Sequence, residues 1–270
     1  MSLTETAYAK INLALHVRER REDGYHEIET LFAFVDQGDN LVARFSREDR
    51  LAVSGEFAGA LDDPFDNIVA RTLTAFPRVE GLAIELEKRL PVAAGLGGGS
   101  ADSGAVIRLI ERSHGLPGDW EERAAKLGAD VPACVESVAC IGRGTGTELE
   151  PIQNDLARMA VLLVNPRIPL ATGPVFSAWS GEDGGALPDG SARDIAQMGR
   201  NDLRPPAISI CPQIGIVLQA LADTRAWKAE MSGSGATCFA LYESSGDRDA
   251  AAQIIADQHP GWWQMSGQLR

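Results

Sequence analysis

Residues 91–108 read PVAAGLGGGSADSGAVIR, a cluster of glycines that turns into a helical pattern. Gly95, Gly97, Gly98 and Gly99 stand directly before Ser100. Beyond it Ala101, Ala105, Val106, Leu109 and Ile110 repeat at the spacing of one helix face, which predicts a helix with Ser100 as its N-cap. Glycines leave backbone N–H groups uncovered, and a helix start adds unpaired donors and the positive end of the dipole. Such a loop can hold phosphate oxygens. Read alone, it is equally a flexible turn with no ligand. Spacing excludes two better-known phosphate loops, because no Lys follows the glycines and the sixth position of a GxGxxG match is Ser100.

With 270 residues, 44% hydrophobic and 23% charged, the chain reads as a soluble globular protein of one large core or two modest ones. It has no run of about 18 apolar residues and no basic segment leading into an apolar one, so a cytoplasmic protein is expected. The net charge of −13 argues against a nucleic-acid surface. Any phosphorylated ligand must therefore be met by positive charge supplied locally. Cys134, Cys140, Cys211 and Cys238 form no CxxC pair and have no His at metal-ligand spacing, so buried, reduced thiols are expected.

Residues 7–17, AYAKINLALHV, alternate as a half-buried strand with Lys10, Asn12 and His16 on the polar face. Lys10 and Asn12 then point the same way, to one ligand or simply to solvent. A turn at Asp23-Gly24 opens a second strand with Tyr25 and His26 at its mouth, which alone read as a packing aromatic and a surface imidazole. Short strands are expected at 41–45, 51–53 and 82–86, the last leading to Lys88 and Arg89. Between them lies a helix capped by Asp66-Asn67. A helix over 120–127 ends at Gly128, and Asp130 follows among Ala129, Val131 and Pro132. That carboxylate is either a helix cap or a buried acid in need of a partner such as lysine. Strands are expected at 138–142 and 160–165 and a helix at 214–221, and the Gly-, Asp- and Ser-rich 180–199 is the least ordered part. Residues 231–242, MSGSGATCFALY, form a glycine turn entering a strand, with Gly233 and Gly235 permitting close backbone approach. A helix and a short strand complete the tail.

GLGGGSAD resembles the phosphate loop of the GHMP kinases. AKINL, DGYHEIETLF and LGADVP, in that order, are similar to the branch of that family acting in the methylerythritol phosphate route to isoprenoid precursors. The resemblance implies an α+β, two-lobed GHMP kinase fold. Its ribosomal-S5-like N-terminal lobe would take 1–150 and carry the phosphate loop, its ferredoxin-like C-terminal lobe 151–270, with the substrates in the cleft between. It implies transfer of the ATP γ-phosphoryl group to the 2-hydroxyl of a cytidine-diphosphate sugar alcohol, with Mg²⁺, by a monomer or weak homodimer with no nucleic-acid or membrane partner. Asp130 becomes the catalytic base and Lys10 the group that orients it and offsets charge on the transferring phosphoryl group. Asn12 lies by the acceptor hydroxyl, Tyr25 and Phe176 cover the cytosine faces, His26 bonds its edge, and Thr172 belongs to the same segment as Phe176. Pro91, Gly95, Leu96, Gly97, Gly98, Gly99, Ser100 and Ala101 surround the nucleotide phosphates, while Asn67 and Lys88 border adenine. Asn67 as a simple cap and Lys88 as a surface residue remain open. Ser100 is the one metal ligand named, and Asp102 is equally well placed to favour the helix dipole. Departures from the family pattern are Ala94, the order of residues after Thr172, and Gly104, which weakens its helix by about 0.5–1 kcal/mol relative to alanine.

Three other readings compete. A family member acting on mevalonate or homoserine would keep the loop and Asp130 but has no use for a base-stacking Tyr25 with His26. A non-enzymatic sensor on the same fold would have lost Lys10 or Asp130, and both are present. A dinucleotide-binding oxidoreductase needs its glycines after the first strand of a βαβ unit, whereas here they come far along the chain.

Overall fold

The computed structural model describes residues 2–61 and 67–270, so the proposed cap at Asp66 lies outside the described residues. In chain order the elements are β1 (Ser2–Arg20), β2 (His26–Ser46), β3 (Arg50–Ser54), α1 (Ile68–Ala75), β4 (Gly81–Glu87), α2 (Gly98–His114), α3 (Trp120–Leu127), α4 (Val131–Glu136), β5 (Cys140–Arg143), β6 (Glu148–Pro151) and β7 (Ala160–Asn165). They continue with α5 (Thr172–Ser177), α6 (Ala192–Met198), α7 (Arg204–Ile210), α8 (Gln213–Ala222), β8 (Lys228–Met231), β9 (Cys238–Tyr242), α9 (Ser245–Gln258) and β10 (Trp263–Gln268). Two compact units result, Met1–Ala9 with Gln37–Val92 and Gly97–Ser137, and Lys10–Asp36 with Ala93–Leu96 and Val138–Arg270. These units interleave along the chain.

In the first unit the end of β2 pairs antiparallel with β4, and β3 adds parallel to β4. Leu82, Ile84 and Leu86 of β4 face inward while Glu85 and Glu87 face out, as alternation requires. Helices α1, α3 and α4 pack on α2, whose Ala101, Ala105, Val106, Leu109 and Ile110 are all buried. Each fully buried leucine or isoleucine contributes about 1.5–3 kcal/mol. The sequence reads a break before 41–45, but β2 runs straight through. Gly38 makes that possible, since a Cβ there would lie 1.8 Å from the Ala7 carbonyl oxygen of β1.

In the second unit β10, β7, β9 and β8 form an antiparallel sheet in that order. The central strand β7, AVLLVN, is buried on both faces, and α8 and α9 pack against this sheet. The segment 180–199 differs from the expectation of low order. Arg18 holds Asp183 through two bonds of 2.9 and 3.1 Å, Glu29 accepts from Leu187 N at 2.8 Å, and His16 Nδ1 meets the Gly185 carbonyl at 2.9 Å. Ser191 and Asp194 then form a capping box that starts α6. The four cysteines are buried and form no disulfide. Among the described residues no helix is long and apolar enough to cross a membrane.

Candidate active site

The phosphate loop does not begin its helix where the sequence places it. Helix α2 starts at Gly98 with Gly97 as N-cap in the left-handed region, φ 60°, so Ser100 is inside the first turn and caps nothing. Glycine adopts that conformation without the steric penalty of a Cβ, and the helix start keeps its N–H groups uncovered by any side-chain cap. Gly95, at φ 76°, is equally constrained, because a Cβ there would lie 2.2 Å from the Ser232 carbonyl oxygen.

The polar face of β1 is not solvated. Lys10 is only 4% exposed, and Asn12 and His16 are buried too. Lys10 Nζ donates to Asn12 Oδ1 at 2.9 Å, Asn12 Nδ2 donates to Thr30 Oγ1 at 2.7 Å, and Thr30 donates to the Ala14 carbonyl at 2.7 Å. This chain of donors orients the Asn12 amide, and the Lys10 ammonium also sits 5.3 Å from the Phe32 ring centroid. Asn12 N donates to Ser232 Oγ at 3.2 Å. Strand β1 is covered at its far end by the chain after α6, with Leu15 N donating to Arg200 O at 2.8 Å and Asp202 N to Leu15 O at 2.9 Å.

His26 is a buried ring rather than a surface imidazole. Its centroid lies 5.0 Å from Phe176 and 5.8 Å from Trp179, the latter edge-on. Arg20 Nε donates to His26 Nε2 at 3.4 Å. Burial, and then the Arg20 charge, hold the His26 pKa below 6.5, so the ring is neutral near neutral pH. Tyr25, beside it in sequence, is 64% exposed and belongs to no core. Thr172 Oγ1 lies 3.1 Å from Ser234 Oγ. Sequence reasoning missed Trp179, Arg20 and Ser232. Trp179 follows Phe176 by one helical turn, which was a usable signal; the other two had none beyond their polarity.

In the first unit Asn67 caps α1, its Oδ1 accepting from Val69 N at 2.9 Å. Lys88 is buried, contrary to its reading as a surface residue. Its ammonium donates to Asp39 Oδ2 at 2.5 Å and Asp102 Oδ2 at 2.7 Å. Asp39 Oδ1 also accepts from Arg89 N and Leu90 N, whereas Asp102 Oδ1 has no hydrogen-bond partner. Burial pushes the Asp102 pKa up to about 8 against the pull of Lys88. Asp102 is thus a partner of Lys88 and not a helix-dipole residue exposed to solvent. A Cβ on Gly98 would lie 3.6 Å from Lys88 Nζ, so this cation stands under the start of α2.

Asp130 occupies the N-cap position of α4, and its side chain makes no capping bond there. Helix α4 is held closely to α2. Gly104 leaves room for it, since a Cβ there would lie 2.5 Å from the Cys134 carbonyl oxygen, and Arg108 Nη1 donates to the Cys134 and Val135 carbonyls at 2.6 and 3.0 Å. Among the described residues no group of three or more His, Cys, Asp or Glu side chains could hold a metal ion. Asp102 Oδ2 is taken by Lys88, and Ser100, whose Oγ lies 3.7 Å from a Cβ placed on Gly128, retains a hydroxyl in the first turn of α2.

Residues 66–142 match the N-terminal domain of the GHMP kinases and residues 186–261 their C-terminal domain. A 4-diphosphocytidyl-2-C-methyl-D-erythritol kinase of Erythrobacter litoralis is 69% identical over 99% of this chain and 100% of its own length. One of Novosphingobium aromaticivorans is 68% identical over 100% of this chain and 94% of its own length. A crystal structure of 4-(cytidine 5'-diphospho)-2C-methyl-D-erythritol kinase superposes with a TM-score of 0.84 at 30% identity, covering 99% of both chains. Homoserine kinase from Cytophaga hutchinsonii shares the fold, with a TM-score of 0.74 at 18% identity. Glycine loop, helix start and buried Lys10–Asn12 pair thus accompany full-length similarity, and the chain belongs to the GHMP kinase family, in its 4-diphosphocytidyl-2-C-methyl-D-erythritol kinase branch.

Proposed function

We propose that the protein transfers the γ-phosphoryl group of ATP to the 2-hydroxyl of 4-diphosphocytidyl-2-C-methyl-D-erythritol, giving the 2-phosphate and ADP. The observation that carries the choice of acceptor is the ring group of His26, Phe176 and Trp179 beside the exposed Tyr25. Flat rings suit a nucleobase, and a neutral, buried imidazole can read its edge; mevalonate and homoserine have no flat ring to stack against them.

In this reading the acceptor hydroxyl oxygen forms the new bond to the γ-phosphorus as the bond to the β–γ bridging oxygen breaks. Asp130 takes the hydroxyl proton, and Lys10 offsets charge on the transferring group. The uncapped start of α2 and the loop N–H groups bind the β- and γ-phosphates. Mg²⁺ prefers phosphate oxygens and water with few protein ligands, so the lone Ser100 hydroxyl fits it; when bound it neutralises phosphate charge. Asn67 and Lys88 shape the adenine side through α1 and α2 rather than through free polar groups.

The test is ADP release by the purified protein with ATP and Mg²⁺, comparing 4-diphosphocytidyl-2-C-methyl-D-erythritol with mevalonate, homoserine and no acceptor. Release with the cytidine compound alone is expected. Release with another alcohol would keep the kinase and remove the roles given to Tyr25, His26 and Phe176.

A further inference from the structure

In the phosphate loop the backbone carbonyls of Ala93 to Leu96 each accept a hydrogen bond. Ala93 O accepts from Leu170 N at 3.3 Å, Ala94 O from Thr237 N at 3.1 Å, Gly95 O from the Ser232 hydroxyl at 2.8 Å, and Leu96 O from Lys10 N at 3.0 Å. Three of these donors are backbone N–H groups, which almost any residue would supply. The exception is the side chain of Ser232, which is 0% exposed.

In a trans peptide the C=O and the following N–H point in opposite directions. Holding the Gly95 carbonyl toward Ser232 therefore turns the Leu96 N–H away from it, and leaves that N–H free for a ligand. Ser232 is itself fixed. Its Oγ accepts from Asn12 N at 3.2 Å, its N donates to Thr237 O at 2.9 Å, and Asn201 Nδ2 donates at 2.8 Å to the carbonyls of both neighbours, Met231 and Gly233. Gly233 makes the approach possible: a Cβ on it would lie 3.2 Å from both the Gly95 carbonyl oxygen and Asn12 Oδ1. One hydroxyl thus ties the strand carrying Lys10 and Asn12 to the first glycine of the loop.

We propose that Ser232 is a positioning residue of the phosphate loop, whose hydroxyl orients the Gly95–Leu96 peptide so that the Leu96 N–H donates to the nucleotide's phosphates. This rests on the nucleotide-binding reading above. Ser232 touches no reacting atom. Without the hydroxyl, Gly95 O loses its donor, and a glycine at that point lets the peptide rotate.

The test is calorimetric binding of ATP, ADP and adenosine to the wild type, Ser232→Ala, Ser232→Thr and Ser232→Cys. Ser232→Ala should weaken ATP and ADP about tenfold or more and leave adenosine within about twofold, because only the phosphate donor is lost. Ser232→Thr, which restores the hydroxyl, should recover most of the loss. Equal weakening of adenosine and ATP, or wild-type ATP affinity in Ser232→Ala, overturns the proposal. Should the alanine variant not fold, Ser232→Cys decides. Its poorer donor must weaken ATP selectively, and wild-type ATP affinity in it overturns the proposal. A wild type that binds neither ATP nor ADP fails the kinase reading, and the proposal with it.

Discussion

Lys10 donates its ammonium to Oδ1 of Asn12 at 2.9 Å, two positions along one strand, and both side chains are buried. A hydrogen bond to a charged group contributes about 1.5–3 kcal/mol. Asn12→Leu, close in size but unable to accept, is therefore expected to lower turnover roughly 10–100-fold with little change in ATP affinity. Steady-state kinetics with each substrate varied checks this; an unchanged kcat would remove Asn12 from the site.

Asp130 stands at the start of α4 without capping it. Asp130→Asn keeps size and polarity but cannot take a proton. Nucleotide binding should survive while phosphoryl transfer falls by at least about a hundredfold, the lower range for loss of a general base. Single-turnover measurement with near-normal rates would give that role to another group.

Lys88 holds Asp39 and Asp102, so Lys88→Met leaves the buried Asp39 carboxylate without its cation. We expect a loss of about 3–5 kcal/mol in urea unfolding. Asp102→Asn should cost far less near neutral pH, because Asp102, raised to about 8, is already protonated there. The folded state then keeps a proton that the unfolded chain releases above 3.8, so this group's contribution to stability falls as pH rises from 3.8 to about 8. Unfolding at about pH 6 and about pH 9 should show that slope in the wild type and a flatter one in Asp102→Asn. Equal slopes would refute the assignment.

His16 works in the opposite sense. Burial lowers its pKa from 6.5, partly opposed by its bond to Gly185 O, with Arg200 lowering it further and Asp202 raising it. Its Nε2 accepts from Arg200 N at 3.3 Å, a bond that protonation abolishes. The unfolded chain takes up the proton first, so stability falls as pH drops below 6.5. Segment 180–190 should become more sensitive to protease at about pH 5 than at about pH 7, and His16→Gln should reduce the difference.

Gly104→Ala would add helix propensity of up to about 1 kcal/mol in isolation. Here the new Cβ would lie 2.5 Å from the Cys134 carbonyl oxygen. Overpacking of about 1–3 kcal/mol should dominate, lowering the midpoint of thermal unfolding. A raised midpoint would mean that α4 moves away easily.

What could be read from the chain was local. Alternation in AYAKINLALHV and LAIEL marked β1 and β4, helical spacing marked α2 and α3, and Asn67 announced the start of α1. The order of AKINL, DGYHEIETLF, GLGGGSAD and LGADVP was enough to identify the family. The differences share a cause. A sequence displays the capping side chain of Ser100 but not the left-handed backbone of Gly97, and the continuity of β2 through 37–40 depends on Gly38 lying against Ala7.

Sequence alone therefore determined the periodicities, the glycine loop and the family, since backbone spacing and side-chain type are properties of neighbouring residues. Tertiary structure alone decided which distant groups meet. Asp39 joins Lys88 and Asp102, Trp179 packs on His26, and Ser232 reaches Gly95 across 137 positions. A buried polar group must find a partner, but its identity depends on which elements fold against it, and no local pattern encodes that.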